Sequence, residues 1–176
     1  MIDPVHGVII KNPNYSKKYV HSIVEKKLSW IVKKLLHVNK RKSISEIYNK
    51  EQKVLLLGNK ESLHVKDNLS TFYKQKTMEI VPIIIDKWAL KMKLNPIKIS
   101  FRKTKRRWGS CSAKNELSFT SSLAQLPLEC IEYIIVHELS HIKYKHHKKD
   151  FWLLVEKFMP NYKDCEKILK EYSPQI

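Results

Sequence analysis

The sequence predicts an α+β protein in which a small antiparallel sheet packs against helices. Long segments carry apolar residues at helical spacing, and short segments alternate apolar with polar residues. The 176 residues, of which 43% are hydrophobic, are enough for one core, with or without a small N-terminal extension. We predict a helix and hairpin region over residues 1–66 and a larger domain over 67–176, or one continuous domain across both.

The N-terminal region is expected to hold a short strand, a long helix and a hairpin. Residues 5–10 fit the strand. Ser16 is a suitable N-cap for a helix that reaches about Leu36, because apolar residues recur there at helical spacing. The hairpin is expected to place Gly58-Asn59 between strands at residues 54–57 and 63–65.

A second long helix is predicted over about residues 70–92, and Pro82 is expected either to delay its start or to kink it. Two alternating segments, at residues 97–101 and 116–120, predict strands. Residues 112–115 can turn between these two strands, which favours antiparallel pairing.

The C-terminal part is predicted to be helical. Pro127 can open a helix that runs through Leu139, because isoleucines recur in it at helical spacing. Two more helices are expected at residues 151–158 and 162–172, separated by Pro160.

The chain carries 34 Lys and Arg against 17 Asp and Glu, a net charge of +17. This charge favours nonspecific contact with nucleic acid, but no nucleic-acid-binding motif accompanies it, so a solvated lysine-rich surface is the simpler interpretation. Three widely spaced cysteines without a CxxC pair fit a reducing compartment. Neither a membrane-spanning stretch nor a signal peptide is evident, so we expect a cytoplasmic protein without membrane contact.

The sequence His137-Glu138-Leu139-Ser140-His141 is the strongest chemical signal in the chain. On a helix, two histidines four residues apart lie one turn apart and can reach a single ion. Glu138 is offset by about 100°, beside the ligands, where a carboxylate can contact metal-bound water. Two imidazole nitrogens and an open position suit Zn²⁺. The alternative, a helix end with incidental histidines, fits less well with the buried helix expected to precede the motif.

A zinc site needs a third protein ligand. His147 lies six residues after His141, which on a continuous helix would place it about 9 Å further along. The helix must therefore end near residues 142–145, and the chain must fold back. His146 is the adjacent competitor. Glutamates on later helices are further alternatives: Glu156, Glu166 and Glu171.

The segment Arg106 to Ser112 precedes the histidine motif and is rich in unusual residues, among them Trp108, Gly109 and Cys111. One interpretation is a tight turn with a buried tryptophan and cysteine. The other is a wall of an active-site cleft. A nucleophilic role for Cys111 is less favoured, because the histidine motif is better explained by a metal.

Together these motifs resemble the YgjP-like zinc metallopeptidases, predicted metal-dependent hydrolases related to the SprT and WLM groups. The resemblance is strongest over residues 97–172. It depends on the combination of R-W-G-S-C-S at 107–112, H-E-L-S-H at 137–141, His147 and Phe151-Trp152. It implies a zincin-like fold, with His137, His141 and His147 as zinc ligands and Glu138 as general base.

We therefore expect a zinc-dependent hydrolase, probable metallopeptidase, in which Glu138 activates a zinc-bound water for attack on a peptide or amide carbonyl. Strand residues 117–120 can pair with an extended peptide substrate. Further substrate contacts are assigned to Arg107, Trp108, Ser118 and Tyr144, and Arg107 and Tyr144 are candidates to stabilise the oxyanion. The rival functions are a non-peptidase amidohydrolase and a non-enzymatic, basic nucleic-acid-binding module with structural histidines.

Overall fold

The computed structural model describes residues 2–3, 7–11, 14–39, 44–62, 68–104 and 106–174. The chain forms two compact units, residues 1–41 and 42–176. The boundary proposed from sequence, after residue 66, stays a prediction.

The first unit contains two short strands and one long helix. Strands β1 (Ile2–Asp3) and β2 (Gly7–Val8) pair in antiparallel fashion. Of the strand expected at residues 5–10, residues 5 and 6 lie outside the described part of the chain, and β2 ends at Val8. Helix α1 (Lys17–Asn39) begins where predicted, because the Ser16 hydroxyl accepts a hydrogen bond from the Tyr19 amide at 3.3 Å. It ends three residues beyond the predicted position.

The second unit opens with a helix and a hairpin. Helix α2 (Ile44–Glu51), which the sequence pattern did not reveal, precedes strands β3 (Val54–Leu56) and β4 (Asn59–Glu61). Leu57 and Gly58 both have positive φ, which matches the backbone of a two-residue hairpin turn. The returning strand therefore starts at Asn59 instead of residue 63, and residues 63–65 lie outside the described part of the chain.

Helix α3 (Leu69–Met92) starts at the side chain of Asn68, which accepts a hydrogen bond from the Thr71 amide at 2.9 Å. The helix runs through Pro82, so the late start that proline suggested is wrong. Tyr73 fixes this helix to the hairpin, because its buried hydroxyl donates to the Leu55 carbonyl at 2.8 Å and accepts from the Leu55 amide at 3.0 Å.

A three-stranded sheet follows, built from β5 (Lys98–Arg102), β6 (Gly109–Cys111) and β7 (Glu116–Thr120) in the order β5-β7-β6. Strand β6 is antiparallel to β7, as a tight turn requires, but β5 is parallel to β7. The prediction of a wholly antiparallel sheet is wrong for this pair. Residues 109–111 form a strand of their own, so the turn at 112–115 joins β6 to β7 and the chain leaves β5 by a separate connection.

Three helices complete the unit: α4 (Leu128–Lys143), α5 (Lys149–Phe158) and α6 (Tyr162–Leu169). Pro127 is the N-cap residue of α4, as its position predicted. The apolar face of the sheet, with Leu117 and Phe119, shares one buried cluster with Ile135 and Leu139 of α4. The α+β class with small sheets packed against helices is confirmed. No helix in the described ranges is both long and apolar enough to cross a membrane.

Candidate metal centre

Three histidine side chains converge at the end of α4. His137 and His141 lie one helical turn apart, and the helix ends at Lys143 with Tyr144 as its C-cap. The chain then reverses, as the spacing required, and His147 lies just before α5. The Nε2 atom of His147 is 3.1 Å from Nε2 of His141 and 3.1 Å from Nε2 of His137. The three ligand nitrogens all lie within 4.8 Å of one another.

The hydrogen bonds behind these rings fit a cation at the centre of the group. Nδ1 of His141 is 2.9 Å from the carbonyl oxygen of Tyr144. A carbonyl only accepts, so Nδ1 carries the proton and Nε2 presents its lone pair to the other rings. Lone pairs that face each other at this distance repel unless a proton or a metal ion lies between them, so the donor set fits a divalent metal.

His137 has a similar partner behind it. Its Nδ1 is 3.5 Å from the hydroxyl oxygen of Tyr133, and that hydroxyl donates its proton to Oε1 of Glu166 at 3.1 Å. The Tyr133 oxygen is therefore an acceptor toward His137, which again directs the Nε2 lone pair to the centre. Sequence analysis missed Tyr133, although its position four residues before His137 places it on the same helical face.

Burial favours the neutral form of the two helical imidazoles, His137 and His141. It lowers the pKa of His137 to about 3, and the neighbouring His141 and His147 lower it further. Burial also lowers the pKa of His141, against the opposing effect of the Tyr144 carbonyl. Neutral imidazole is the form that binds a metal, so the two helical histidines need not lose a proton at neutral pH.

Glu138 points away from solvent, toward strand β6. Only 7% of it is exposed, and burial raises its pKa to about 7, while the charge of Arg107 acts in the opposite direction. A Cβ atom built on Gly109 would lie 2.7 Å from Cγ, 2.8 Å from Oε1 and 3.0 Å from Cδ of Glu138. Gly109 therefore leaves the space that the glutamate side chain occupies.

The middle of the R-W-G-S-C-S segment, Gly109–Cys111, forms edge strand β6, which packs beside α4. The interpretation of this segment as a wall of an active-site cleft stays a prediction. Cys111 is half-buried, and the Lys145 ammonium lies 3.3 Å from its sulfur. The same ammonium donates to the Ser112 carbonyl and the Asn115 side chain. Burial raises the pKa of Cys111 despite this lysine, which disfavours a thiolate nucleophile.

The strand predicted to pair with substrate has no free edge. Strand β7 lies between β5 and β6, so the backbone of residues 117–120 is paired on both sides and that prediction is wrong. Among the described strands, β5 and β6 are the two edges of this sheet. The Ser118 side chain is largely buried, and its hydroxyl accepts a hydrogen bond from Nε of Arg102 at 2.8 Å.

The alternative third ligands lie outside the histidine group. Among the described residues, the group able to hold a metal contains His137, His141 and His147. The ring of His146 points elsewhere and accepts a hydrogen bond from the Lys148 amide at 3.3 Å. The carboxylate of Glu166 accepts a hydrogen bond from the Tyr133 hydroxyl and is not a member of the histidine group. Neither Glu156 nor Glu171 joins the group.

Both the sequence and the structure of this chain are similar to those of known proteins. A family model described as the YgjP-like metallopeptidase domain matches residues 59–172. A search of curated proteins gave no match. Among solved structures, the crystal structure of the metallopeptidase zymogen of Pyrococcus abyssi abylysin is similar, with 25% sequence identity and a TM-score of 0.48. The similarity covers 52% of this chain and 94% of that chain.

Proposed function

Because the chain belongs to the YgjP-like metallopeptidase family, we propose that it hydrolyses peptide bonds with a zinc ion held by His137, His141 and His147. One observation carries the proposal. Three imidazole rings converge with their Nε2 atoms, and Glu138, the residue that follows His137 in the sequence, is buried. Nitrogen ligands with an open fourth position are typical of catalytic zinc. Bound zinc would supply Lewis acidity, which polarises a carbonyl and makes water more acidic.

Glu138 is proposed as the group that moves the proton. It accepts a proton from the attacking water and later gives it to the leaving amine. Burial holds the pKa of Glu138 at about 7, which suits a group that must both take and return a proton near neutral pH. The carboxylate of Glu138 occupies space that is open because Gly109 has no side chain.

The remaining site residues are proposed to bind the substrate. Arg107 is exposed and its charge already acts on Glu138, so it can stabilise negative charge that develops on the substrate oxygen. Tyr144 is a second candidate for that role, from its position at the end of α4. Trp108 lies partly buried at the edge of the core, and Ser118 lies on the sheet face beside Arg102.

The substitution Glu138→Gln tests this function. We expect the variant to keep its zinc, measured by elemental analysis, and to lose at least about 100-fold in peptide cleavage, the lower range of general base catalysis. Glu129→Gln is the matched control, because Glu129 is an exposed glutamate on the same helix.

Each outcome has a distinct meaning. Purified wild-type protein without stoichiometric metal would contradict the site. A Glu138→Gln variant as active as the wild type would remove this residue from the mechanism. Cleavage of small amides but of no peptide in a broad substrate panel would favour the amidohydrolase alternative.

A further inference from the structure

An open cleft of about 520 Å³ lies where the three-stranded sheet meets the connection between β5 and β6. Its walls carry four cationic side chains and the hydroxyl groups of two serines. These residues are Arg102, Lys103, Arg106, Arg107, Ser110 and Ser118. None of the four cationic residues is buried.

The cleft carries an excess of positive charge, because no acidic residue is among the described residues that line it. Within the described ranges, no carboxylate forms an ion pair with Arg102, Lys103 or Arg107. Nε of Arg102 donates to Ser118, which holds the guanidinium against the sheet while its outer N–H groups stay available. A concave site lined by one sign of charge concentrates ligands of the opposite sign, and the net charge of +17 acts in the same direction.

The cleft is adjacent to the proposed catalytic glutamate. Gly109 lines the cleft and also makes room for the Glu138 side chain. Arg107 lines the cleft and its charge acts on Glu138. Successive residues of a strand point to opposite faces, so Ser110 and its partner Ser118 face away from Glu138. The cleft and Glu138 therefore lie on opposite sides of edge strand β6.

The lining favours carboxylates on a peptide over a nucleic acid. The described residues that line the cleft include no aromatic side chain on which a base could stack. Arginine guanidinium groups match carboxylates in bidentate geometry, and serine hydroxyls add further donors. A volume near 520 Å³ is at the lower end of the range for ligand pockets and fits one or two side chains.

We propose that this cleft is a specificity site that binds acidic side chains of a peptide substrate close to the bond that is cleaved. The proposal rests on the peptidase function proposed above. The chain would then prefer peptides with Asp or Glu next to the cleaved bond to otherwise identical neutral peptides. Because the interaction is electrostatic and exposed to solvent, the preference should weaken as salt is added.

The test uses two fluorescent peptides of identical sequence, except that a Glu-Glu pair in one is Gln-Gln in the other. Both are measured for cleavage by the wild type and for binding to the zinc-loaded Glu138→Gln protein by anisotropy at low and high salt. The cleft variant is Arg102→Gln with Lys103→Gln. Lys74→Gln with Lys91→Gln is the matched control, since it removes the same charge from exposed positions on α3.

We expect at least tenfold tighter binding of the Glu peptide by the protein with an intact cleft. The cleft variant should lose most of that difference, and the control variant should keep it. Lys103→Gln with Arg106→Gln provides a second cleft variant in case the loss of the Arg102–Ser118 hydrogen bond impairs folding. Thermal unfolding of every variant checks that it is folded.

The outcomes separate this inference from the peptidase proposal. Equal binding of the two peptides, or an equal loss in the control variant, would overturn the acidic-residue site. Tighter binding of a single-stranded oligonucleotide through the same residues would assign the cleft to nucleic acid and would also overturn it. Preferential binding of the Glu peptide without cleavage of either peptide would support the cleft and contradict the peptidase function.

Discussion

Gly109 shows how a single residue can be constrained by the side chain of another element. Its φ is not in the left-handed region, so backbone conformation does not demand glycine. Glycine is needed at this position because Cγ and the carboxylate of Glu138 lie where a Cβ atom would be. A glycine in a strand often marks such a close approach.

Gly109→Ala is therefore expected to displace the Glu138 carboxylate. We predict at least tenfold slower peptide cleavage with zinc content unchanged, because the three atoms nearest to the new methyl group all belong to Glu138 and not to a histidine. Overpacking of this kind typically costs about 1–3 kcal/mol in the free energy of unfolding. Kinetics and elemental analysis measure the two effects, and Lys114→Ala, at an exposed position in the turn after β6, is the control. Full activity of the Gly109→Ala protein would show that the carboxylate position is not critical.

Glu138 makes the free energy of unfolding of the metal-free protein depend on pH. Burial raises the pKa of Glu138 to about 7 in the folded protein, from 4.5 for a glutamate exposed to water. Between these two values the folded state keeps a proton that the unfolded state releases. The stabilisation from this group is therefore complete below pH 4.5 and is lost as pH rises through 7. A shift of this size corresponds to roughly 3 kcal/mol.

The metal-free Glu138→Gln variant cannot ionise at this position and should escape that loss. We predict that its melting temperature rises relative to the metal-free wild type between pH 5 and pH 8. Thermal unfolding of both proteins in the presence of a chelator, over this pH range, measures the difference. A constant difference across the range would show that the glutamate is not buried in solution.

At the scale of elements, the metal centre depends on how α5 packs against α4. Phe151, fully buried, contacts the ring of His141 at a centroid distance of 4.5 Å. Trp152 donates from Nε1 to the His147 carbonyl at 3.2 Å and stacks on Tyr162 of α6. The first turn of α5 thus holds the backbone of the third histidine and also packs against the rings of His137 and His141.

Trp152→Phe should loosen His147 without removing a ligand, because phenylalanine keeps an aromatic ring and loses the indole N–H. We predict about tenfold weaker zinc binding, the lower end of the effect of residues that support metal ligands. Competition with a fluorescent chelator measures the zinc affinity. Trp30→Phe is the matched control, since Trp30 is 55% exposed on α1. An unchanged zinc affinity in Trp152→Phe would mean that His147 is held by other contacts.

At the scale of the whole molecule, a bound metal would link helix α4 to the loop before α5. A ligand that binds only the folded state at a concentration 100 times its dissociation constant stabilises that state by about 2.7 kcal/mol. For a chain of this size, each kcal/mol corresponds to roughly 2–4 °C in melting temperature. Metal removal should therefore weaken the second compact unit, which contains all three histidines.

Chelation is predicted to lower the melting temperature by roughly 5–10 °C, from these values. Re-addition of zinc should restore it. The His146→Ala protein should respond like the wild type, and the His147→Ala protein should respond much less, because His147 but not His146 belongs to the histidine group. Calorimetry with and without chelator measures these shifts, and the reverse pattern would assign the third ligand to His146.

The sequence by itself determined the helices other than α2, the α+β class and two of the three members of the histidine group. Spacing within one helix is a local property, so H-E-x-x-H predicted that His137 and His141 share a face. The same spacing required a chain reversal before His147. Hydrogen bonds within a few residues also fixed the starts of α1 and α3, at Ser16 and Asn68.

Only the tertiary structure decided the sheet order and the surroundings of Glu138. Strand β6 has three residues and no alternation long enough to recognise, so its insertion beside β7 could not be inferred. The strand that was expected to pair with substrate therefore lies inside the sheet. The contacts of Gly109 with Glu138, of Tyr133 with Glu166, and of Trp152 with Tyr162 join residues from different elements. Such contacts depend on how helices and strands pack, which local residue patterns do not encode.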